Sequence, residues 1–378
     1  MSNPKIDTSK GQALVTGGAG LIGSHLADLL IEKGYEVNIL DNLEPQTHPK
    51  GRPAWLNPRA RFFQGDVREE AALSQALEGV CVVFHQAAFG GFTSEISKYI
   101  DVNTIGTARL FEQIAKGKSA VRKIVVASSQ AVYGEGAYRC ERHGLKYPPK
   151  RPLAQVEKKN WETLCPECGS ILKPIPVSEE KPSEGETAYA LSKEFEERLA
   201  LAYGKQLGIP TVALRYAVTY GPRQSIFNPY TGVVSIFSTR LLNNLPPLVY
   251  EDGQQTRDFI YVGDVARANL FVMENETADF KVFNVGTGIA TSVEALAREL
   301  ASIYGKKIGP EIPGEFRCGD VRHIFLDPSP LNRLGFRAAT SLKEGLGHFA
   351  EWMWTHERVA EYFSEAYGNL KRNGIIHG

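Results

Sequence analysis

With 378 residues, 43% hydrophobic and 23% charged, the chain has apolar material for one large core or two coupled ones, and it is not of the disordered class. Lysine plus arginine number 43 and aspartate plus glutamate also 43, so no global field draws it to nucleic acid or anionic lipid, and an anionic ligand needs a local site. The polar start, the lack of any apolar run near the about 18 residues of a spanning helix, and five unevenly spaced cysteines point to a cytoplasmic protein without membrane or nucleic-acid partners.

A short β-run (Ala13, Leu14, Val15) leads through a glycine-rich turn into a helical stretch ending near Ile31, and 36–40 reads as a second strand, which makes a βαβ unit. The turn is Thr16-Gly17-Gly18-Ala19-Gly20-Leu21-Ile22-Gly23. Glycines at 17, 20 and 23 permit a tight bend, close approach of a pyrophosphate, and close seating of the helix on the strand. Amides at Leu21 and Ile22 head the helix with partial positive charge. A glycine-rich turn is often only a turn, but the strand-to-helix context raises the dinucleotide reading above that. Asp41 closes the second strand, where a carboxylate accepts from ribose hydroxyls and repels the extra phosphate of NADP, selecting NAD. The plainer alternative is a turn residue before Asn42.

Apolar runs at 80–85, 123–127 and 211–214 alternate with helical patterns at 105–114 and 194–207. This predicts an α/β Rossmann-type doubly wound parallel sheet with helices on both faces. Residues 135–186 break the rhythm with many prolines and three of the five cysteines, as an inserted module does. Beyond Tyr216 the alternation becomes irregular, with a loop at 228–232 and amphipathic helices at 233–242 and 293–304. The expected organisation is a dinucleotide-binding domain at 1–215 carrying the insertion, and a smaller α/β substrate-binding lobe at 216–378, with 258–290 partly returning to the first.

Inside the insertion, Cys140-Glu141-Arg142-His143 and Cys165-Pro166-Glu167-Cys168-Gly169 form a C-x-x-H and a C-x-x-C with 21 residues between. Each half presents two donors from one tight turn, so Cys140, His143, Cys165 and Cys168 suit a closed, structural zinc knuckle. The alternative is four small buried side chains. Cys81, in a strand, and Cys318 read as packing residues.

Tyr189 and Lys193 lie four apart at the start of a helical pattern, on one face. A phenol, with an unperturbed pKa of about 10, becomes a base near neutrality only beside positive charge, which an ammonium and an oxidised nicotinamide supply. The same spacing also occurs as a plain surface pair. Here Ser128-Ser129-Gln130-Ala131-Val132-Tyr133-Gly134 follows a strand directly, at the carboxyl edge where ligands of open α/β sheets bind.

In these residues the chain resembles the extended short-chain dehydrogenase/reductases, in their NAD-dependent nucleotide-sugar epimerase and dehydratase group. The resemblance also rests on Gly65-Asp66-Val67, His85-Gln86-Ala87-Ala88, Asn103, Tyr220-Gly221-Pro222-Arg223-Gln224, Arg257-Asp258-Phe259 within a Gly253 motif, and Gly319-Asp320-x-Arg322. It implies Tyr189 as base and acid, Lys193 on the nicotinamide ribose, and Ser129 with Gln130 at the sugar. Asp41, Asn42, Asp66, Val67, Gln86, Ala87, Ala88 and Asn103 would line bound NAD. Arg257 and Arg322 would clamp the diphosphate of a nucleotide sugar, since a planar guanidinium meets phosphate oxygens at two points. The stretch 225–232, with Asn228 at the substrate, together with the insertion resembles a branch acting on dTDP-activated 6-deoxysugars. Val218 stands where the family often has an asparagine and lacks its polar contact. The family also implies a homodimer.

Similar 4,6-dehydratases carry Asp-Glu after the hydroxyl residue, and similar decarboxylases a Glu before Val-Tyr-Gly. Gln130 and Ala131 supply no such proton handler, so hydride chemistry at one carbon is the simplest assignment, and a 4-epimerisation is the expectation drawn from it. A 4-epimerase of UDP-hexoses or UDP-uronates, a ketoreductase or dehydrogenase with net redox, and a non-catalytic NAD-sensing protein are the competing readings.

Overall fold

The computed structural model describes residues 11–91, 95–117, 120–226, 232–356 and 359–378. The chain divides into two compact units, one of Met1–Ser129, Thr187–Tyr216 and Val262–Phe283, the other of Gln130–Glu186, Ala217–Tyr261 and Asn284–Gly378. No helix among the described residues is long and apolar enough to cross a membrane.

The first unit is built on β1 (Gln12–Thr16), β2 (Glu36–Asp41), β3 (Arg61–Gln64), β4 (Val80–His85), β5 (Lys123–Ser129), and the strands Thr211–Tyr216 and Val282–Val285. Their spatial order is Val282–Val285, Thr211–Tyr216, β5, β4, β1, β2, β3, and β1 to β5 pair in parallel. Successive residues such as Ala13, Leu14 and Val15 are all fully buried, as a parallel sheet covered on both faces requires. Helix α1 (Leu21–Glu32) packs with Val262–Glu274, and Gly106–Lys116 packs with Ala188–Leu207. Leu14, Val83, Ile124 and Val126 meet Leu110, Phe111, Ile114 and Ala200 in one apolar cluster. The chain steps from β1 outward to β2 and β3, then returns to the other side of β1 with β4. The order therefore reverses between β1 and β4, and it is beyond the carboxyl ends of the strands at such a reversal that open α/β sheets bind ligands.

In the second unit, helices Val233–Leu242, Val293–Ile303 and Leu342–Trp354 bury Phe237, Leu241, Leu296, Leu300, Leu346 and Phe349 together. Apolar side chains at 293, 296, 297, 300 and 301 recur at helical spacing. Ser341 caps the last of these helices, its hydroxyl accepting from Glu344 N at 3.3 Å. The pair Thr256–Arg257 runs parallel to His323–Ile324 and antiparallel to Thr291–Ser292. The segment that shows little periodicity forms a small antiparallel sheet, Gly144–Lys146, Ala137–Cys140 and Lys173–Ile175, with a short helix at Leu153–Val156. Its own cluster is limited to Tyr138, Cys140, Cys165 and Leu172, with Cys168 against it. Cys81 sits in β4 as expected, whereas Cys318 is exposed rather than packed. The glycine beside it adopts φ +74°, and the turn this makes carries the thiol outward.

Candidate functional site

The glycine turn occupies the reversal point of the first unit. Gly17 has φ +65°, and a Cβ there would meet the Ala87 backbone at 2.7 Å; one on Gly23 would meet Gly17 O at 2.3 Å. Only bare backbone lets α1 seat this closely. Helix α1 starts at Leu21 and Ile22 after Gly20, with no side-chain cap and no acidic residue in its first turn, so its leading amides are offered to an anion. Asp41 is held by Ala19 N at 2.9 Å and Leu43 N at 2.8 Å, one bond to each oxygen, which leaves lone pairs for hydroxyl donors. Asn42 donates to Asp66 at 2.9 Å, and Arg68 grips the same carboxylate through two nitrogens at 2.8 and 2.7 Å. Burial opposes the charge on Asp66, but these donors outweigh it and bring its pKa down to about 2. Val67 is buried against Gly106, where a Cβ would come within 2.7 Å of it. A strand-end carboxylate, a bare helix N-terminus and a turn too tight for side chains together fit a dinucleotide.

Thr16 and His85 end the neighbouring strands β1 and β4 in register. His85 Nε2 lies 2.9 Å from Thr107 Oγ1, which itself donates to Asn103 O at 2.6 Å. Thr107 therefore accepts from Nε2–H, and His85 Nδ1 accepts from the Thr16 hydroxyl at 2.8 Å. Thr16 in turn accepts from Ala87 N at 3.2 Å. Burial, helped by the charge of Lys193, lowers the His85 pKa to about 3, so the ring is a neutral brace. Asn103, fully buried in a π-helical turn, accepts from Phe89 N at 2.7 Å and donates to Phe89 O and to Ser192 Oγ. Its side chain fixes the loop after β4. Gln86 in this loop bonds Asn269 and Tyr216, and Ala88 is exposed.

Thr187 caps the helix Ala188–Leu207 through Ala190 N at 3.1 Å, so the helix begins just before Tyr189. The half-buried ring of Tyr189 packs beside Phe89, Tyr99 and Val102, edge-on to Tyr99 at 6.2 Å. A Cβ on Gly90 would lie 3.6 Å from it. Thus the phenol borders the loop that leaves β4, while Ser129 ends β5. Lys193 is 1% exposed, and its ammonium meets Glu196 at 2.6 Å. Glu196, three residues on, escaped the sequence reading; it is fully buried with Oε1 lacking a protein donor. Burial raises its pKa to about 7 despite Lys193. Beside it, Glu197 accepts from Ser128 at 2.7 Å and from Arg215 at 2.6 and 2.9 Å. This second pair is closed on itself and leaves Lys193 to Glu196.

In the second unit Gln130 opens a 3-10 turn, and its Oε1 is buried without a donor. Asn228 lies outside the described residues. Arg257 donates to the carbonyls of Thr256, Val321 and Arg322 at 2.9, 2.7 and 3.2 Å and stands 3.6 Å from Asp320. The expectation for Arg322 is corrected. Its guanidinium is fully buried and saturated by Glu162, Glu251 and Asp252 at 2.6 to 3.2 Å, so it has no donors for phosphate. Five residues earlier, Arg317 holds Asp320 from the other side at 2.8 Å and keeps a quarter-exposed side chain. The shared Asp320 makes Arg257 and Arg317 the paired cations.

Cys140, His143, Cys165 and Cys168 come together with all ligand atoms within 4.8 Å of one another. A tetrahedral metal with bonds of about 2.3 Å has ligand separations of about 3.7 Å. Cys140 Sγ lies 3.6 Å from His143 Nδ1 and 3.7 Å from Cys168 Sγ, and Cys165 Sγ 3.5 Å from His143 Nδ1. Burial works against a Cys140 thiolate, but amides of His143 and Arg142 and the Ser170 hydroxyl lower its pKa to about 6. Geometry and donor set both fit zinc.

Residues 13–155 and 168–286 match the NAD dependent epimerase/dehydratase family, the match passing over the segment that holds Glu162 and Cys165. A dTDP-L-rhamnose 4-epimerase of Burkholderia thailandensis is 35% identical over 351 residues, covering 90% of this chain and 94% of the relative. The UDP-glucose 4-epimerase of Thermotoga maritima, solved with UDP-glucose, superposes with a TM-score of 0.75 at 32% identity, over 91% of this chain and 99% of that one. The Thermus thermophilus UDP-glucose 4-epimerase, solved with NAD, gives 0.72 at 29%, over 91% and 99%.

Replacing Arg322 with leucine strands three carboxylates around an apolar side chain, and should lower stability by about 3–5 kcal/mol in denaturant unfolding; an unchanged midpoint with lost diphosphate binding would return Arg322 to the ligand. The raised pKa of Glu196 means the folded state binds that proton more tightly than the unfolded chain. Its contribution is present below pH 4.5 and is lost as pH rises through about 7. Glu196→Gln should flatten the stability curve in that window, and an identical slope in wild type and variant would assign the proton to another group.

Proposed function

The chain belongs to the NAD dependent epimerase/dehydratase family, and we propose that it is a nucleotide-sugar 4-epimerase working through a transient 4-keto sugar. The observation that carries this is the placement of Tyr189 beside the loop leaving β4, one helical turn before buried Lys193. When bound, NAD supplies a hydride acceptor that can also return the hydride. Tyr189 takes the proton of the sugar 4-hydroxyl and later gives it back, while Ser129 holds that oxygen. Lys193 keeps positive charge near the phenol and binds the nicotinamide ribose. Asp41, Asn42, Asp66, Val67 and the loop fixed by Asn103 hold the adenosine side. The ketosugar turns over between the two half-reactions, so hydride returns to the opposite face and no net redox occurs.

In this reading the first unit carries the dinucleotide, and Arg257 with Arg317 in the second receives the sugar-nucleotide diphosphate. The relative from Burkholderia favours dTDP-L-rhamnose and its talose epimer as the pair interconverted; the Thermotoga and Thermus enzymes support UDP-hexoses as the second reading, and UDP-uronates belong to the same chemistry. Cys140, His143, Cys165 and Cys168 hold a structural zinc with no coordination position open to substrate. Exposed Leu191 and Phe195, four apart on the helix Ala188–Leu207, support a homodimer through that face.

The test is incubation of NAD-loaded enzyme with dTDP-L-rhamnose, UDP-glucose and UDP-glucuronate, with chromatographic separation of epimers. One 4-epimer should appear without accumulation of reduced nicotinamide absorbance. Continuing formation or consumption of NADH would instead make the protein a dehydrogenase or ketoreductase. Tyr189→Phe keeps the ring packing and removes the transferable proton, so kcat should fall by about 10²–10⁴; retained activity would require another base.

A further inference from the structure

The insertion has contacts that its Cys/His cluster alone does not account for. The hairpin 163–172 is pinned by Leu172 N to Thr163 O at 2.9 Å and Cys165 N to Ser170 O at 2.8 Å, and its turn carries Cys165 and Cys168. Glu162 stands at the base of this hairpin, three residues before Cys165. Its Oε1 accepts from Arg322 at 2.6 and 3.2 Å, and its Oε2 lies 3.3 Å from His323 Nε2. His323 bonds Thr256 through Nδ1 at 2.9 Å, and the strands of Thr256 and His323 are paired. The carbonyls of Val321 and Arg322, on the same segment, hold the Arg257 guanidinium. An unbroken series of bonds therefore runs from the cluster's hairpin through Glu162 and Arg322 to Arg257.

We propose that Glu162 is a positioning residue which ties the Cys/His cluster to Arg257, so that metal in the cluster sets the grip on the nucleotide diphosphate. The inference rests on the zinc and diphosphate readings above. The local cluster of Tyr138, Cys140, Cys165 and Leu172 is too small to order the hairpin by apolar burial, and a metal joining its two halves supplies the missing constraint. A guanidinium that must meet phosphate oxygens at two points tolerates little displacement. Tyr189 and Lys193 belong to the first unit, so loosening the hairpin acts on binding of the nucleotide and not on the proton transfer.

The experiment uses NAD-loaded full-length enzyme made without metal-chelating tags, with UDP and dTDP as calorimetric probes. Near one zinc per chain is expected, and stripping it should weaken binding of the probes by about tenfold and raise KM while kcat changes little. Glu162→Ala should weaken them similarly with zinc retained, and Glu162→Gln, which keeps hydrogen bonding, should recover part of the loss. Wild-type affinity in folded Glu162→Ala or in the stripped enzyme would overturn the coupling. Should Glu162→Ala fail to fold, Glu162→Gln and the stripped enzyme decide it. A chain that binds no zinc sinks the metal reading and the coupling with it. Probe affinity indifferent to Arg257→Ala sinks the diphosphate reading instead.

Discussion

The hydroxyl of Thr16, wedged between the ends of β1 and β4, is the contact on which the first unit's chemistry depends. It donates to His85 and accepts from Ala87 N, so one side chain closes the strand pair and aims the loop after β4. The need arises from topology. Where strand order reverses, no helix crosses over the strand ends, and their last backbone groups must find partners locally or face a ligand. The neutral His85 ring, Thr107 and Asn103 extend the brace to Phe89, against which Tyr189 packs.

Buried charge is handled in two ways. In the first unit, Arg215, Glu197 and Ser128 satisfy one another, while Lys193 and Glu196 form a pair with one carboxylate oxygen left over. The incomplete pair, on the helix that carries Tyr189, can change its protonation near neutral pH, because burial raises the Glu196 pKa to about 7. In the second unit, Arg322 has three carboxylate partners, and Glu251 also receives Arg151 at 2.7 and 3.0 Å. Desolvation on this scale is tolerable only with full pairing, and full pairing removes Arg322 from recognition. Arg257 and Arg317, sharing one partially exposed aspartate, retain the access that an anion needs.

The insertion shows how a segment with little apolar content becomes ordered. Its strands contribute few buried side chains; the Cys/His cluster lies at one end, and ionic contacts through Glu162 and Arg151 lie at the other. Such a segment shows no hydrophobic period because apolar burial is not what holds it.

The parallel sheet, the glycine turn, the strand ending in Asp41, the Tyr189 and Lys193 pair and the Cys/His spacing are legible in the amino-acid sequence because each is local: a run of apolar residues, a glycine required by a tight turn, two ligands from one bend. The partner of Lys193 lies only three residues on in the same helix, but the saturation of Arg322, the exposure of Cys318 and the bracing role of Asn103 come from tertiary structure alone. Each depends on residues separated by tens or hundreds of positions, or on the direction a turn faces. An arginine's charge is written in the sequence, but whether carboxylates from distant segments have already claimed its donors is decided only when the chain folds.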